Sequence, residues 1–177
     1  MSNYNRLINN LDELKLSSFR MNLDHIMELT SKGEIDFIEG LYQLTKYQLD
    51  EKLEKDIRWC IQWGAFPQLK QLEEFDFKYQ PSINKEQIYS FKNLRFIEKA
   101  ENILFVGSPG VGKTHLAIAI GIEAAKQKQQ ARFINCNDLL LQLKKANQEG
   151  SLAKKLGVYG KYKLLIIDEV GYMPIDQ

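Results

Sequence analysis

The chain has 177 residues, 44% of them hydrophobic and 27% charged, and a formal net charge of +1. This composition indicates a soluble globular protein, and the near-zero net charge argues neither for nor against a nucleic-acid partner. No apolar run approaches the roughly 18 residues that a membrane span needs, and the N-terminus does not resemble a secretory signal. Cys60 and Cys136 lie far apart, which is typical of reduced thiols in a cytoplasmic protein with no membrane segment.

The first third of the chain has apolar residues at helical spacing. They predict a helix over 17–33 and a long amphipathic helix over 35–64. Trp59 and Trp63 lie four residues apart on one face of the long helix. We expect them to pack against neighbouring helices, with a base-stacking platform as the alternative. Residues 1–75 are predicted to form a helical N-terminal region.

After a connector at 67–83, the pattern predicts one helix over 85–99 with Asn84 as its cap. An alternation of strands and helices follows. Strands are expected at 103–106, 132–136 and 164–167, and helices at 113–128, from a cap at Asn137 to about 150, and at 151–157. Such alternation is typical of a parallel sheet that helices cover, so 76–177 is predicted to be an α/β domain.

A glycine-rich loop, Gly107–Thr114, matches the phosphate-loop pattern G-x-x-x-x-G-K-[ST] in full. Its glycines let backbone N–H groups point at a polyphosphate, and the helix that follows adds the positive end of its dipole. Lys113 would reach the β- and γ-phosphates as a binding and catalytic residue, and the Thr114 hydroxyl would hold Mg²⁺. The predicted cofactor-binding positions are Gly107, Ser108, Pro109, Gly110, Val111, Gly112, Lys113, Thr114 and His115. The His115 side chain itself is expected to be structural.

A second motif, Leu164–Glu169, is an apolar strand that ends in two carboxylates. The C-terminal end of a buried parallel strand lies at the sheet edge where ligands bind, so Asp168 is predicted to hold Mg²⁺. Glu169 is the candidate catalytic base, because a carboxylate beside the metal ligand can deprotonate a water for attack on the γ-phosphate. The alternative for Glu169 is a surface carboxylate at a strand end. Together the two motifs favour ATP hydrolysis over phosphate transfer to a small acceptor.

Two questions remain: which nucleotide the loop binds, and what a lysine-rich stretch contacts. No guanine-binding N-K-x-D motif follows the loop, so ATP is the expected nucleotide. Six lysines and one glutamate lie between Leu143 and Lys163. They predict either a surface that contacts phosphates or ordinary solvated helix faces.

Three segments together resemble the IstB-like ATPases, the transposition helper proteins of IS21-type insertion sequences. They are "ILFVGSPGVGKTHLAIAIGIEA", "RFINCNDLLLQLKKA" and "LLIIDEVGYMPID". The likeness extends to the N-terminal "LKLSSFRMNLDHIMELTSKG" and to the connector "EEFDFKYQPSI". It implies an AAA+ module, an α/β P-loop NTPase with a parallel sheet and flanking helices, over 76–177. An all-α N-terminal region over 1–75 would precede it.

The resemblance also implies partners. It implies a homo-oligomer that assembles on double-stranded DNA with ATP and Mg²⁺ and that acts with a transposase. The N-terminal region would contribute to DNA and partner contacts, and the lysines at 144–163 would face the DNA. One alternative is a helicase loader of the same clade, and another is an inactive remnant that binds nucleotide or DNA weakly.

Members of that family continue past the position of Gln177, so the resemblance implies an AAA+ sheet that is incomplete at the C-terminus. The remaining part would hold a strand that lies between 103–106 and 164–167, and an arginine finger. Each buried backbone group left unpaired by a missing strand costs on the order of 1–3 kcal/mol. We therefore expect a truncated chain with little or no DNA-stimulated ATPase activity of its own.

Overall fold

A computed structural model of the chain describes residues 2–171. The contacts divide the chain into two compact units, Met1–Asp56 and Ile57–Gln177. The boundary expected near residue 75 refers to the start of the ATPase core and stays a prediction. Residues 172–177, which include the end of the segment "LLIIDEVGYMPID", lie outside the described part.

The first unit consists of helices, as the apolar spacing predicts. They are α1 (Asn3–Glu13), α2 (Ser17–Ser31) and α3 (Phe37–Trp63), of which the last continues into the second unit. Their shared core is a cluster of four buried aliphatic residues, Leu11, Leu23, Ile26 and Leu44. Both helices expected over 17–33 and 35–64 are present.

The N-terminus of α2 is capped by side chains of α3. Its own N-cap residue, Leu16, has no capping side chain. The Gln48 Oε1 atom accepts hydrogen bonds from the backbone N–H groups of Ser18 and Phe19, at 3.1 and 3.2 Å. Glu51 accepts from the Ser18 N–H at 3.2 Å and from the Ser17 hydroxyl at 2.9 Å. The free amides of one helix start are thus satisfied by a neighbouring helix.

The helix expected as one piece over 85–99 is broken in two. Helix α4 (Lys85–Ser90) begins at the predicted cap, because the Asn84 side chain accepts from the Gln87 N–H at 2.9 Å. A 3₁₀ turn over Phe91–Asn93 follows, and α5 (Arg95–Glu98) is a separate short helix. Leu94 between them has a left-handed backbone with φ +56° and is buried among Phe96, Ile120 and Ala124. Burial of the Leu94 side chain in this cluster accompanies the break, which helical periodicity does not reveal.

A parallel two-stranded sheet and one buried helix form the centre of the second unit. Strands β1 (Ala131–Asn135) and β2 (Leu164–Asp168) pair in the register Ala131↔Leu164 to Asn135↔Asp168. Helix α6 (Lys113–Lys126) packs on both strands and is buried around most of its circumference. A Cβ atom at Gly121 would lie 2.6 Å from the Ile166 side chain, so this glycine permits the close packing.

The strand expected at 103–106 is not formed. Residues 101–108 have no regular structure, although Ile103 and Phe105 pack inward while Leu104 and Val106 are 80% and 84% exposed. The segment keeps the alternation of a strand but has no neighbouring strand among the described residues. Since a strand is defined by its inter-strand hydrogen bonds, alternation without a partner is not enough.

Two helices follow the strand β1. Helix α7 (Cys136–Gln148) begins two residues earlier than expected: its cap is Asn135, whose side chain accepts from the Asn137 N–H at 2.8 Å. The prediction of Asn137 as the cap is wrong because Asn137 already lies in the first helical turn. Helix α8 (Leu152–Tyr159) packs against α7 and precedes β2. Within residues 2–171, no helix has both the length and the hydropathy that a bilayer crossing requires.

Candidate functional site

The glycine-rich loop lies directly before α6 and is open to solvent. Gly110 and Gly112 have left-handed backbones, with φ +80° and +88°, which side chains other than glycine rarely adopt. Gly112 is the N-cap residue of α6 and supplies no capping side chain. The start of this helix is therefore free of the side-chain caps that satisfy the amides of α2 and α7.

The ammonium group of Lys113 folds back over the loop. Its Nζ atom donates to the carbonyl oxygens of Gly107 and Ser108, at 2.9 and 2.8 Å. Lysine has no acceptor, and three donors fit the carbonyls at the loop mouth or the oxygens of an anion there. The predicted phosphate-binding lysine thus lies over the loop that the glycines form.

The two sequence motifs meet at one side-chain contact. The Thr114 hydroxyl lies 3.1 and 3.0 Å from the two carboxylate oxygens of Asp168, 54 positions apart in sequence. The contact follows from the fold, because α6 packs on the sheet and Asp168 ends β2 at the edge that faces the helix start. A hydroxyl and a carboxylate in contact form an oxygen-rich pair of the kind that Mg²⁺ prefers.

The carboxylate of Glu169 is held by a residue that sequence reasoning did not select. The Asn135 Nδ2 group donates a hydrogen bond to Glu169 Oε2. The parallel register explains the contact, because Asn135 pairs with Asp168 and so lies beside the end of β2. Glu169 also has a left-handed backbone, with φ +58°, which is uncommon for a residue other than glycine, asparagine or aspartate. Only the pairing of the two strands reveals this neighbour.

The connector before α4 packs against the loop. A Cβ atom at Gly112 would lie 2.5 Å from the Phe75 ring, so the ring is packed directly on the glycine backbone. The Phe75 ring meets the His115 ring edge to face at 5.3 Å. The His115 Nε2 atom lies 2.9 Å from the carbonyl oxygen of Gln71, which can only accept, so Nε2 carries the proton. The expectation that the His115 side chain is structural agrees with these contacts.

A pocket of about 310 Å³ opens beside the loop. Lys113 and Ser108 of the loop line one side of it. The apolar part of the lining is Ile83, Ile88, Phe105, Val106, Val111 and Leu116. Gln80 and Ser82 of the connector add polar groups. Sequence reasoning missed the connector residues, because nothing in their pattern indicates that the chain returns to the loop.

The other predicted residues have simpler environments. Pro109 and Val111 lie in the loop itself. Within residues 2–171, no cluster of three or more histidine, cysteine, aspartate or glutamate side chains could bind a metal by itself. Of the six lysines between Leu143 and Lys163, five are exposed and Lys155 is half-buried. They lie on α7, α8 and the turn before β2.

Comparisons with known proteins assign the chain to a family. The family model described as IstB-like ATP binding protein matches residues 9–177. An ATP-binding protein of insertion sequence IS232 from Bacillus thuringiensis subsp. berliner is 49% identical over 99% of this chain. The corresponding proteins of IS5376 from Geobacillus stearothermophilus and of IS21 from Pseudomonas aeruginosa are 44% and 32% identical, over 84% and 94% of the chain.

The chain spans 70%, 59% and 63% of the lengths of these three relatives. The family match confirms the predicted fold class, a P-loop α/β core preceded by helices; among the described residues only a two-stranded parallel sheet of that core is formed. Match and identity also bear out the resemblance on which the functional expectations rest. The chain belongs to the family of IstB-like ATP-binding proteins of insertion sequences.

Proposed function

We propose that the chain binds and hydrolyses ATP as part of a protein that assists DNA transposition. The observation that carries this proposal is the contact between Thr114 and Asp168 at the mouth of the glycine loop. It joins the two motifs into one site with a free helix start, a lysine and two carboxylates. Dense negative charge is favoured there by the loop amides, by the helix dipole and by Lys113.

The residues present fit a magnesium ion. Thr114 and Asp168 would hold it, through one hydroxyl and one carboxylate, with the remaining ligands coming from water and the substrate phosphates. When bound, Mg²⁺ neutralises charge on the β- and γ-phosphates. Lys113 would exchange its two carbonyl partners for phosphate oxygens, a change from neutral to charge-assisted hydrogen bonds.

We propose that the nucleotide base binds in the pocket beside the loop. Its apolar lining, including Ile83, Ile88 and Phe105, would bury the base, and Gln80 could hydrogen-bond its edge. Ser108 and Lys113 of the loop line the same pocket, so a base bound there would lie beside the phosphate-binding residues. We expect ATP to be preferred over GTP.

Glu169 is the proposed base for hydrolysis. It would take a proton from a water whose oxygen attacks the γ-phosphorus, while the bond to the β,γ-bridging oxygen breaks and ADP leaves. In the structure its carboxylate accepts from Asn135. A carboxylate oxygen engaged in this way is less available to a water, so we expect slow hydrolysis until that hydrogen bond opens.

Calorimetric titration with ATP and Mg²⁺ tests the binding site. Lys113→Ala should weaken ATP binding by at least about 10-fold, equivalent to roughly 1.4 kcal/mol. Lys126→Ala, at the other end of α6, is the matched control and should bind as the unchanged chain does. Equal affinity of both variants would contradict the site. Glu169→Gln should keep ATP binding and lose hydrolysis, which separates the two roles.

DNA and partner binding form the second part of the proposal. The names of the relatives, which are insertion-sequence proteins, favour transposition over helicase loading. We propose that the exposed lysines of α7 and α8 contact double-stranded DNA and that the whole protein assembles with copies of itself and with a transposase. Lys145→Gln together with Lys154→Gln should lower duplex affinity and its dependence on salt. Unchanged salt dependence in a filter-binding or anisotropy titration would rule out this surface.

A further inference from the structure

The two tryptophans of the chain form an exposed aromatic pair away from the phosphate loop. Trp59 and Trp63 lie on the last two turns of α3, with ring centroids 5.2 Å apart and planes tilted by 37°. The two residues are 51% and 56% exposed, so they pack on each other but are only partly buried by the rest of the chain. Exposed ring faces of this size in a pair are available to another planar group.

A pocket of about 140 Å³ lies beside the pair. Both tryptophans line it, together with Val158, Tyr162, Gln130 and Lys161. None of the residues lining this pocket is acidic. The surface therefore combines aromatic residues with a glutamine and a lysine.

The positive charge continues around the pocket. The Arg132 guanidinium donates to the carbonyl oxygen of Trp63 at 2.9 Å, which ties the end of α3 to β1. The Lys155 ammonium lies over the Tyr159 ring, 5.5 Å from its centroid. Burial raises the pKa of the Tyr159 hydroxyl, while the nearby Arg132 charge acts in the opposite direction. The segment 150–163 contains four lysines and no aspartate or glutamate.

We propose that this surface binds single-stranded DNA by stacking unpaired bases on Trp59 and Trp63. Bases stack on aromatic rings whatever their sequence, and cationic side chains beside the rings attract the phosphates between them. The Gln130 amide can donate to and accept from a base edge. A duplex has its bases already stacked on each other and offers only phosphates, so it cannot use the ring faces. The site is separate from the phosphate loop and does not depend on the proposed nucleotide binding.

Intrinsic fluorescence provides a direct readout, because the chain has only these two tryptophans. The full chain is titrated with an oligothymidylate of about 12 nucleotides, within the usual site sizes of single-strand binding folds. Saturable quenching is expected, with a duplex of equal length binding at least roughly 10-fold more weakly, since stacking contributes about 1–3 kcal/mol per base. Equal quenching by the duplex, or none by the oligothymidylate, would overturn the proposal.

Variants separate stacking from charge. Trp63→Leu should weaken binding of a labelled oligothymidylate, measured by anisotropy, by roughly 10-fold, whereas Trp63→Phe keeps a ring and should lose much less. Lys161→Gln should reduce the salt slope by about one, and the distant Lys78→Gln should leave it unchanged. Full affinity of Trp63→Leu, or equal competition by polyglutamate, would mean that charge alone is recognised and would overturn base stacking. Lys113→Ala should bind the oligonucleotide normally, which keeps this test independent of ATP binding.

Discussion

Helices α2 and α6 both begin without a capping side chain on their own N-cap residue, yet their first amides have different surroundings. At α2, Gln48 and Glu51 reach across from α3 and accept hydrogen bonds from the Ser18 N–H. At α6, the preceding residue is Gly112 in a left-handed conformation, and the loop before it is exposed. The first amides of α2 are hydrogen-bonded by side chains of the protein, whereas the first amides of α6 are available to an anion.

This difference shows how one physical requirement serves two purposes. The first amides of any helix need acceptors. Where a neighbouring helix supplies them, the hydrogen bonds fix the packing of α2 on α3. Where glycine replaces the cap, the requirement remains and can be met by phosphate oxygens. The comparison predicts that changes at α6 alter the loop and ligand binding, while changes at α2 alter only the first unit.

The largest effect is expected for Gly112→Ala, which adds a methyl group where the Phe75 ring lies 2.5 Å away. The left-handed backbone and the clash should together cost about 2–5 kcal/mol of unfolding free energy, measured by urea denaturation. Gly150→Ala is the matched control, because φ is +67° there and nothing lies within 4 Å of the added carbon. It should lose only about 1–2 kcal/mol. Equal losses in both variants would mean that Phe75 does not constrain the loop.

A smaller change in stability is expected at the start of α7, where Asn135 caps the helix and also donates to Glu169. Asn135→Ala should destabilise the chain by about 1–2 kcal/mol through loss of the cap. Asn135→Asp keeps the capping oxygen but removes the donor, so it should keep stability and still release Glu169. If Glu169 is the base, both variants should hydrolyse ATP faster than the unchanged chain in a phosphate-release assay. Faster hydrolysis in neither would separate Asn135 from the reaction.

The cap of α4 provides a reference value for the stability that a helix cap contributes. The Asn84 side chain accepts from the Gln87 N–H at the start of α4 and is not among the residues that line the pocket beside the loop. Asn84→Ala should cost about 1 kcal/mol in thermal or urea unfolding, whereas Asn84→Ser should be close to neutral. ATP affinity should not change in either variant. A marked loss of ATP binding in Asn84→Ala would show that α4 and the pocket beside the loop are coupled.

The smallest effect near neutral pH is expected for Glu51→Gln, because glutamine still offers an acceptor to α2. The ion pair with Lys55, followed by the hydrogen bond from Ser17, lowers the pKa of Glu51 from 4.5 to about 2. A lowered pKa contributes stability above pH 4.5 that is lost as the pH falls toward 2. Circular dichroism from pH 5 to pH 2 should therefore show a steeper loss of helix for the unchanged chain than for Glu51→Gln. Parallel curves would contradict the assigned hydrogen bonds.

Local signals in the sequence determined the helices α2, α3 and α6, the two paired strands and the phosphate loop. Helical spacing located α2 and α3, Asn84 marked the start of α4, and the glycine pattern identified the loop before Lys113. These features depend on residues close together in the chain: dihedral preferences, caps within one turn and the alternation of apolar residues. The interactions that produce these features act between residues within about ten positions of each other, and so the sequence alone predicts them.

Only the tertiary structure decided which elements found partners. The segment 103–106 has the alternation of a strand but no neighbour to pair with, and Leu94 breaks a helix that periodicity predicts as continuous. The same holds for the contact of Asn135 with Glu169 and for the exposed faces of Trp59 and Trp63. Hydrogen bonds between strands and the burial of side chains depend on residues that are distant in sequence. Their energies appear only when the chain has folded and brought those residues together.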